Sequence, residues 1–392
     1  MNSFSKNILD QMKLDKAVSL AEQNSKNGLF EEAKSIYQDI LGKFPKNKRA
    51  IDGIKDLSIK PLGKASKTQD PPQEQLQHLI EFYNQGQLHL CLVATNQFLG
   101  DFPNSVFLYN IQGTVNARLQ QFDAAIDSYQ KAIKIKPDYA DAYNNLGNVL
   151  RDKGDLEGAI KSYEQALKIN PHKASALHML DALTGNTTDH PPREYVTKLF
   201  DEHAREFDHI LVNKLEYNIP KILGKIMTKQ NFDSFDSVLD LGCGTGLMGV
   251  ELRQYAKNIE GIDLSKFMVE QAKKKNVYNK ISQFDLIEYL SKENLDFDLF
   301  VSTDVFIYVG ELSKVFQLIK ARNKRSGKLI FSTEHTEKKG FFLEKSGRYS
   351  HSKEYIMGLC KKFDYKLLNF KKTRLRKEKS DFLLGGLYIL EF

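Results

Sequence analysis

The chain of 392 residues is long enough for two domains and carries a formal net charge of +7. Hydrophobic residues make up 41% of it, which is enough for ordinary cores, and no apolar run reaches the roughly 18 residues of a membrane-spanning helix. Cys91, Cys243 and Cys360 lie far apart, so the sequence predicts neither a disulfide framework nor a metal site. The first residues do not resemble a signal peptide, and together these features predict a cytoplasmic protein without a membrane anchor.

The excess positive charge lies entirely in the second half. Lys and Arg match Asp and Glu at 22 each over residues 1–190, whereas residues 191–392 hold 35 against 28. Part of the excess is the run Lys371–Lys377, which no aromatic residue interrupts. A solvated connection between strands is the favoured interpretation, and nucleic acid is not expected as a partner.

The first half repeats itself with a period of 34 residues. Pro103, Pro137 and Pro171 each close a helical pattern, since proline cannot continue the helical hydrogen-bond ladder. The last two units share small and aromatic residues at equal offsets, namely Gly113 and Gly147, Ala125 and Ala159, Tyr129 and Tyr163, and Ala132 and Ala166. This pattern resembles the tetratricopeptide (TPR) repeat, a helix pair with a 34-residue period.

We predict an all-α TPR solenoid over residues 1–180, with units at about 12–45, 70–103, 104–137 and 138–171. The stretch 46–69 is expected to begin as a helix and to continue as a linker. The resemblance implies a groove that binds a protein or peptide and no catalytic residues. A structural or assembly role for the solenoid is the alternative.

Residues 181–191 are rich in turn formers and predict a linker between domains. From Pro192 onward, apolar residues recur at helical spacing, and Tyr195 and Phe200 of this helix are candidate lid residues. A second helix is expected over residues 218–228, before the first strand.

A glycine-rich loop follows the first predicted strand, residues 237–241. Gly242, Gly244 and Gly246 break that apolar run, and a helical pattern starts directly after them. Such a loop lets backbone N–H groups approach a ligand in front of the positive end of a helix. Residues 244–249 also satisfy the dinucleotide fingerprint, with Asp263 near the expected distance, so NAD is an alternative ligand and a plain turn is another.

The fuller string Asp240-Leu-Gly-Cys-Gly-Thr-Gly246 is similar to the first motif of class I S-adenosylmethionine (SAM) methyltransferases, D-x-G-x-G-x-G. An acid before the first glycine suits a ligand with a cationic amino-acid end and would repel a pyrophosphate. The resemblance implies a Rossmann-like α/β domain over residues 192–392, with a seven-stranded sheet whose last strand is antiparallel. It also implies SAM as the cofactor.

The resemblance assigns side chains to this cofactor. Asp263, at the end of the second strand, would accept hydrogen bonds from the ribose hydroxyls, although capping of the next helix is an alternative. Met268 would pack on the adenine, Asp285 would accept from the adenine amino group, and the Leu286 N–H would meet the ring. The predicted cofactor-binding set is Asp240, Gly242, Gly244, Gly246, Asp263, Met268, Asp285 and Leu286.

Candidate catalytic residues follow the fourth and fifth predicted strands. Asp304 and Tyr308 lie after the strand 297–302, at the sheet edge where open α/β folds bind ligands. His351, in a stretch expected to open a helix, is the candidate base because the reference pKa of histidine lies near physiological pH; a packed histidine is the alternative. Arg348 and Arg376 could bind an anionic acceptor through their guanidinium groups.

The sulfonium methyl group of SAM is already electrophilic, so an enzyme mainly has to align the acceptor and exclude water. The sequence therefore predicts a SAM-dependent methyltransferase that acts on an oxygen or nitrogen nucleophile, with TPR repeats that recruit a protein partner or substrate. One alternative is an enzyme for a small metabolite or glycan precursor that uses the repeats for assembly. A non-catalytic TPR scaffold with a vestigial SAM fold is another.

Overall fold

The computed structural model describes residues 7–10, 12–26, 30–57, 69–232, 234–292, 295–378 and 381–392. Residue contacts divide the chain into two compact units, Met1–Pro171 and His172–Phe392. Within the described ranges, no helix has both the length and the apolar character needed to cross a membrane. Most of the predicted linker, residues 58–68, lies outside the described residues.

The first unit is helical, after a short 3₁₀ turn at Ile8–Asp10. Its helices are α1 Leu14–Lys26, α2 Phe30–Lys43, α3 Lys48–Leu57, α4 Gln73–Asn84, α5 Leu88–Asp101, α6 Val106–Arg118, α7 Phe122–Ile135, α8 Ala140–Lys153 and α9 Leu156–Ile169. Within each of the four predicted repeat ranges, two consecutive helices pack on each other: α1 with α2, α4 with α5, α6 with α7, and α8 with α9. The helical N-terminal region predicted from the sequence is confirmed.

Small residues mark the closest approach of paired helices. A Cβ atom added to Gly113 would lie 2.6 Å from the ring of Tyr129, and one added to Gly147 would lie 2.7 Å from the ring of Tyr163. Both tyrosines are buried, as are the alanines at the repeated positions. The periodic glycine and tyrosine of the sequence are therefore one packing contact, made once in each of the last two repeats.

The second unit begins with a helix that the sequence analysis placed with the repeats, α10 at Ala174–Thr184. His178 of this helix is 1% exposed, and its Nε2–H donates to the carbonyl oxygen of Gly347 at 2.9 Å. The predicted linker 181–191 therefore starts inside a helix that packs with the α/β fold. The predicted domain boundaries themselves stay a prediction.

The rest of the predicted linker belongs to the second unit and makes hydrogen bonds to its strands. The Thr187 hydroxyl accepts the N–H of Leu343 at 3.2 Å, and the hydroxyls of Thr188 and Tyr349 lie 2.7 Å apart. Hydroxyl and glycine residues without apolar periodicity look like a linker in the sequence. In the structure, the threonine side chains make this stretch a strap on the α/β fold.

A mixed sheet forms the centre of the second unit. Its strands are β1 Phe235–Leu241, β2 Ala256–Asp263, β3 Lys280–Gln283, β4 Leu299–Ser302, β5 Lys328–His335, β6 Phe341–Leu343, β7 Tyr349–His351, β8 Lys366–Glu378 and β9 Asp381–Glu391. The strands β3-β2-β1-β4-β5 are parallel, β9 is antiparallel to β5, and β8 is antiparallel to β9. The predicted α/β fold, with a mostly parallel sheet and an antiparallel strand at its end, is confirmed.

Helices cover both faces of this sheet. They are α11 Arg193–His203, α12 Ile219–Lys229, α13 Leu247–Leu252, α14 Lys266–Lys274, α15 Leu286–Leu290, α16 Ser313–Arg322 and α17 Lys353–Phe363, with a π-helix at His209–Lys214 and a 3₁₀ turn at Phe306–Tyr308. Successive residues of β1 point to opposite faces of the sheet and so belong to different cores. Leu239 is in the core that contains Phe316 of α16, and Val238 is in the core that contains Leu223 of α12. A strand buried on both faces explains the unbroken apolar run in the sequence.

The described sheet has nine strands, so the predicted seven is too few. The additional strands β6 and β7 form a hairpin, and β7 pairs in parallel with the end of β5. Glu334 lies opposite Ser350, and His335 lies opposite His351. The sequence analysis assigned this stretch to the start of a helix, but α17 begins only at Lys353. Strands of three residues are too short to show the alternation that identifies a strand.

The basic run is part of a strand and not a connection. Lys371 and Lys372 are exposed, whereas Leu375 and Arg376 are buried within β8. Lysines on a strand at the margin of a sheet oppose pairing with other chains, which accounts for the exposed charges. The buried arginine has a different function, described below.

Candidate functional site

A cavity of about 420 Å³ lies at the carboxyl ends of the parallel strands. Of the predicted site residues, the cavity wall includes Gly242, Gly244, Asp263, Met268, Asp285, Leu286, Asp304 and Tyr308. Asp240, Gly246 and His351 lie outside its lining. The volume is in the range of pockets that bind cofactors and small molecules.

The glycine loop has a backbone that L-residues rarely adopt. The φ angles of Gly242, Gly244 and Gly246 are 71°, 53° and 89°. A Cβ at Gly242 would lie 2.5 Å from Cγ2 of Val305, whereas a Cβ at Gly244 would meet nothing within 4 Å. Gly242 thus allows close packing of the chain, and Gly244 leaves open space on the cavity side.

Gly249, the last glycine of the apparent dinucleotide fingerprint, makes room for a side chain. A Cβ there would lie 2.4 Å from the ring of Tyr278, and a Cβ at Gly261 would lie 2.8 Å from the same ring. The Tyr278 hydroxyl donates to Oδ2 of Asp240 at 2.7 Å. The sequence analysis missed Tyr278, whose signal in the sequence is the pair Gly249 and Gly261. The packing of Tyr278 explains why residue 249 is a glycine, so no bound pyrophosphate is needed to explain it.

Two acids lie at the tips of neighbouring strands beside this loop. Asp240 is 1% exposed, and its Oδ1 has no hydrogen-bond partner among the described residues. The pKa of Asp240 is raised to about 7, mainly by burial and in part by the charge of Asp263, against the effect of the hydrogen bond from Tyr278. Burial likewise raises the pKa of Asp263 to about 6, against the effect of the N–H groups of Ser265 and Gly244 that its carboxylate accepts. A cationic group bound in the cavity would stabilise the ionised form of Asp263, which lines it, and Asp240 adds negative charge from behind the lining.

Asp285 and Leu286 form the start of α15. Oδ1 of Asp285 accepts the N–H groups of Ile287 at 2.9 Å and Glu288 at 3.1 Å, so this residue caps the helix. Leu286 is the first residue of the helix, where a backbone N–H has no acceptor within the helix. Both residues line the cavity and leave a donor and a carboxylate beside each other in its wall.

Asp304 is held in a left-handed backbone conformation, with φ of 61°. Its N–H donates to Oγ of Ser332 at 2.8 Å, and its Oδ2 accepts from the guanidinium of Arg376. Its Oδ1 is buried and has no hydrogen-bond partner among the described residues. A left-handed non-glycine residue with an unpaired buried oxygen is costly, and such arrangements cluster at functional sites.

The three arginines that line the cavity are paired with acids, Arg193 with Glu288 at 2.6 Å on the surface and Arg348 and Arg376 with buried or half-buried carboxylates. Arg376 also approaches Glu334 at 3.3 Å, and Arg348 donates to Glu334 and Glu378. Arg376 and Glu334 are each 6% exposed. The two guanidinium groups that the sequence offered to an anionic acceptor therefore already have carboxylate partners.

Aromatic rings form part of the wall on the same side. The rings of Phe200 and Tyr308 meet edge to face with centroids 4.9 Å apart, and both residues line the cavity. Burial raises the pKa of the Tyr308 hydroxyl, so it stays protonated near neutral pH. Tyr195, the other candidate lid residue, is not in the lining and packs on His178 instead, with ring centroids 4.4 Å apart.

His351 is fully buried in β7 and does not reach the cavity. Its Nε2–H donates to the carbonyl oxygen of Gly310 at 2.6 Å, and its Nδ1 is buried with no partner among the described residues. Burial lowers the pKa of His351 to about 4, so the ring is neutral near physiological pH. This placement disagrees with the predicted role as the base, and it agrees with the packed histidine that was the alternative.

The helices that precede β1 are tied to the ligand loops by side chains that the sequence analysis missed. Asp208 accepts from the Thr245 hydroxyl and pairs with Lys275 at 2.5 Å. Asp201 accepts from the Ser265 hydroxyl at 2.5 Å. These contacts join residues 37 to 67 positions apart, so no local pattern could have shown them. Among the described residues, no group of three His, Cys, Asp or Glu side chains is placed to hold a metal ion.

Replacing Asp240 by asparagine is expected to stabilise the ligand-free chain at pH 8. Because the pKa of this acid is raised in the fold, its contribution to stability is present at low pH and is lost as the pH rises from about 4 to about 7. The amide removes this loss, which amounts to roughly 2–4 kcal/mol. Calorimetry should show a higher melting temperature for Asp240→Asn at pH 8 and little difference at pH 4. A lower melting temperature at pH 8 would contradict this account.

The site defines the second unit as an α/β domain that binds a nucleotide-type cofactor across its glycine loop. A family model described as a methyltransferase domain matches residues 232–374, and two TPR models match residues 115–150 and 140–173. The chain therefore combines tetratricopeptide repeats with a methyltransferase domain, as the sequence predicted. Methyltransferase domains of this class use SAM, which confirms the predicted cofactor.

Similar proteins of known name match only part of the chain. The ubiquinone biosynthesis O-methyltransferase of Coxiella burnetii is 28% identical over 128 residues, which is 32% of this chain and 53% of that protein. The malonyl-[acyl-carrier protein] O-methyltransferase of Buchnera aphidicola is 28% identical over 142 residues, 36% of this chain and 55% of that protein. The chain thus spans about half the length of these curated relatives.

Solved structures resemble the second unit at low identity. The magnesium protoporphyrin IX methyltransferase of Synechocystis PCC 6803, crystallised with SAH, is 17% identical and has a TM-score of 0.40, covering 51% of this chain and 98% of that one. The [4+2]-cyclase SpnF is 14% identical with a TM-score of 0.43, covering 52% and 97%. At this identity the likeness concerns the fold alone.

Proposed function

We propose that the chain transfers a methyl group from SAM to an oxygen or nitrogen nucleophile of an acceptor bound in the cavity. The observation that carries the proposal is the pair Asp240 and Asp263 beside the left-handed glycine loop. Their raised pKa values mark a place where negative charge is poorly solvated and a cation is favoured. The amino-acid end of SAM carries an ammonium group, whereas a dinucleotide carries phosphates there.

The residues of the loop side fit this cofactor. Gly244 leaves open space where a chain atom of a ligand can approach the backbone. The carboxylate of Asp263 accepts two N–H groups and still has lone pairs for the ribose hydroxyls. Asp285 and the N–H of Leu286 offer an acceptor and a donor to the adenine edge, and buried Met268 offers an apolar surface to its ring.

When bound, SAM supplies an electrophilic methyl group, so the chain need not activate the donor. Its own task is to hold the acceptor in line and to keep water out. Apolar side chains from the segment before β1 line the cavity, among them Phe200, Leu211 and Leu215. The ties from Asp208 and Asp201 to the ligand loops hold this segment against the site.

We assign the acceptor side to Asp304 and Tyr308. Both line the cavity and lie on the loop after β4, next to the glycine loop in the sheet. Tyr308 offers a hydroxyl, and Asp304 offers an unpaired carboxylate oxygen. His351 has no part in this proposal, because the hydrogen bond to Gly310 and its burial remove it from the acceptor.

For the TPR repeats we propose recruitment of a protein or peptide that is the acceptor or delivers it. The supporting feature is the repeat pattern itself, since stacked helix pairs present extended surfaces for partners. One of the named relatives is an O-methyltransferase of ubiquinone biosynthesis, which favours a small molecule, and the other is a malonyl-[acyl-carrier protein] O-methyltransferase. A small-molecule acceptor, with the repeats used for assembly, is therefore the second candidate.

Isothermal titration of the full chain with S-adenosylhomocysteine (SAH), the demethylated cofactor, tests the first part of the proposal. We expect binding with a 1:1 stoichiometry and no binding of NAD under the same conditions. Absence of heat with SAH, or preference for NAD, would leave only a scaffold with the fold of a methyltransferase.

A truncation separates the two acceptor classes. The cut belongs before residue 172, because a cut near Thr187 would remove α10 and the strap that pack in the second unit. Labelled SAM is added to cell extract with either the full chain or residues 172–392, and the labelled products are compared. A small-molecule enzyme keeps its product in the short form, whereas a protein-directed enzyme loses it.

A further inference from the structure

We propose that the acceptor is an uncharged hydroxyl compound, and that Oδ1 of Asp304 accepts the proton of that hydroxyl. This inference rests on the proposed methyl transfer and narrows it, since it excludes carboxylate acceptors. In the step, the O–H bond breaks and its proton goes to Oδ1 of Asp304. An oxygen lone pair would form the new O–C bond to the methyl group as the bond between that carbon and the sulfur of SAM breaks, and the electron pair of the S–C bond would remain on sulfur.

The first argument is the hydrogen-bond inventory of Asp304. The guanidinium of Arg376 donates a hydrogen bond to Oδ2, and the backbone N–H of Asp304 donates to Oγ of Ser332. Oδ1 alone is left without a partner among the described residues, although it is buried. A buried carboxylate oxygen can only accept, so the group that completes this site has to donate.

The second argument is the pairing of charges around this oxygen. The guanidinium groups of Arg348 and Arg376 are hydrogen-bonded to three carboxylates. These belong to Asp304, Glu334 and Glu378, so the acids outnumber the two arginines. A carboxylate acceptor would bring another negative charge beside Asp304, where the arginines of the cavity wall already have carboxylate partners. An uncharged acceptor adds no charge to the buried cluster.

The third argument concerns which donor can also attack. A primary amine is an ammonium ion near neutral pH, since the reference pKa of such a group is about 10.4, and it then has no lone pair. A hydroxyl donates its proton to Asp304 and keeps two lone pairs for the methyl group. Apolar neighbours such as Leu215, Phe200 and Val309 suit a largely apolar body for this acceptor.

Two probes that differ in one group test the inference, namely benzyl alcohol and benzoate. Their dissociation constants are measured by saturation-transfer NMR on the full chain saturated with SAH. We expect the alcohol to bind about fivefold more tightly than benzoate, or better, as for one hydrogen bond gained and one like charge avoided. The same measurement on Asp304→Asn should reduce this preference at least about fivefold.

The direction in which Asp304→Asn changes the two affinities follows from Arg376, because a guanidinium can only donate hydrogen bonds. The asparagine oxygen must face the guanidinium, so the amide N–H₂ takes the place of Oδ1 and offers a donor instead of an acceptor. Benzoate should then gain affinity and the alcohol should lose it. Asparagine tolerates the left-handed backbone nearly as well as aspartate, so the loop is retained.

Asp364→Asn is the matched control. Asp364 has the same left-handed backbone, with φ of 58°, but its side chain is 98% exposed at the end of α17. This variant should keep the preference of the parent chain. Benzoate binding the parent as tightly as the alcohol, an unchanged ratio in Asp304→Asn, or binding of neither probe would each overturn the inference. Failure of SAH itself to bind would instead contradict the proposed function.

Discussion

Replacing Asp263 by alanine is expected to lower the affinity for SAH by roughly a hundredfold or more. The proposed hydrogen bonds from two ribose hydroxyls to a carboxylate are charge-assisted, and each is worth about 1.5–3 kcal/mol. The same carboxylate also holds the N–H groups of Gly244 at 2.9 Å and Ser265 at 2.8 Å. Its loss therefore removes ligand contacts and loosens the loop that shapes the pocket.

Isothermal titration with SAH measures this effect on the full chain. The control is Asp236→Ala, which removes an acid at the opposite end of the sheet: Asp236 lies near the start of β1 and pairs on the surface with Lys257 at 2.6 Å. That variant should bind SAH like the parent. An affinity of Asp263→Ala within twofold of the parent would refute the assignment of this acid to the cofactor.

The part of the cavity wall around the glycine loop could be predicted from the sequence because it is built from local segments. Gly244, Asp263 and Asp285 lie at the tip of a strand or in the turn that follows it, and Met268 and Leu286 lie in the first turn of the next helix. Parallel strands bring these tips to one edge of the sheet, so the order of the strands is enough to assemble them. Asp304 and Tyr308 line the same cavity for the same reason, since β4 lies beside β1.

The ion pairs around Asp304 could not be predicted because they join distant parts of the chain. Arg376 reaches Asp304 from β8, 72 residues further on, and the sequence gives no period or motif for that contact. The run around Arg376 was instead assigned to a solvated connection, since its charges dominate the local composition. The same residue types form buried ion pairs and surface charges, so only the tertiary structure distinguishes the two.

The structure places His351 in the core and outside the cavity lining, which the sequence could not show because it gives the reference pKa of histidine but not its burial. The residue lies in a three-residue strand whose partners are β5 and β6, and that hairpin is too short for its period to be recognised. Tyr278 was missed for a related reason. Its ring packs against Gly249 and Gly261, which both precede it in the chain, and the lack of a side chain at two glycines is only a weak signal.

Replacing His351 by alanine is expected to destabilise the second unit by about 3 kcal/mol near pH 7 without weakening SAH binding. The change removes a fully buried ring and its 2.6 Å hydrogen bond to Gly310, and a cavity of that kind costs about 2–4 kcal/mol. A catalytic base would behave differently, because its removal slows turnover and leaves the melting temperature nearly unchanged. Calorimetry and SAH titration of the same preparation separate these outcomes.

The pH dependence of this difference gives a second readout with a fixed sign. The pKa of His351 is lowered from 6.5 to about 4 in the fold, so the unfolded chain takes up a proton first as the pH falls. The parent chain therefore loses up to about 3 kcal/mol from this residue between pH 6.5 and pH 4, whereas the alanine variant does not. The stability gap between the two should shrink towards pH 4, and His89→Ala, which removes an exposed histidine of the repeats, should follow the parent at every pH. A gap that stays constant or widens on acidification would show that His351 is not held neutral by burial.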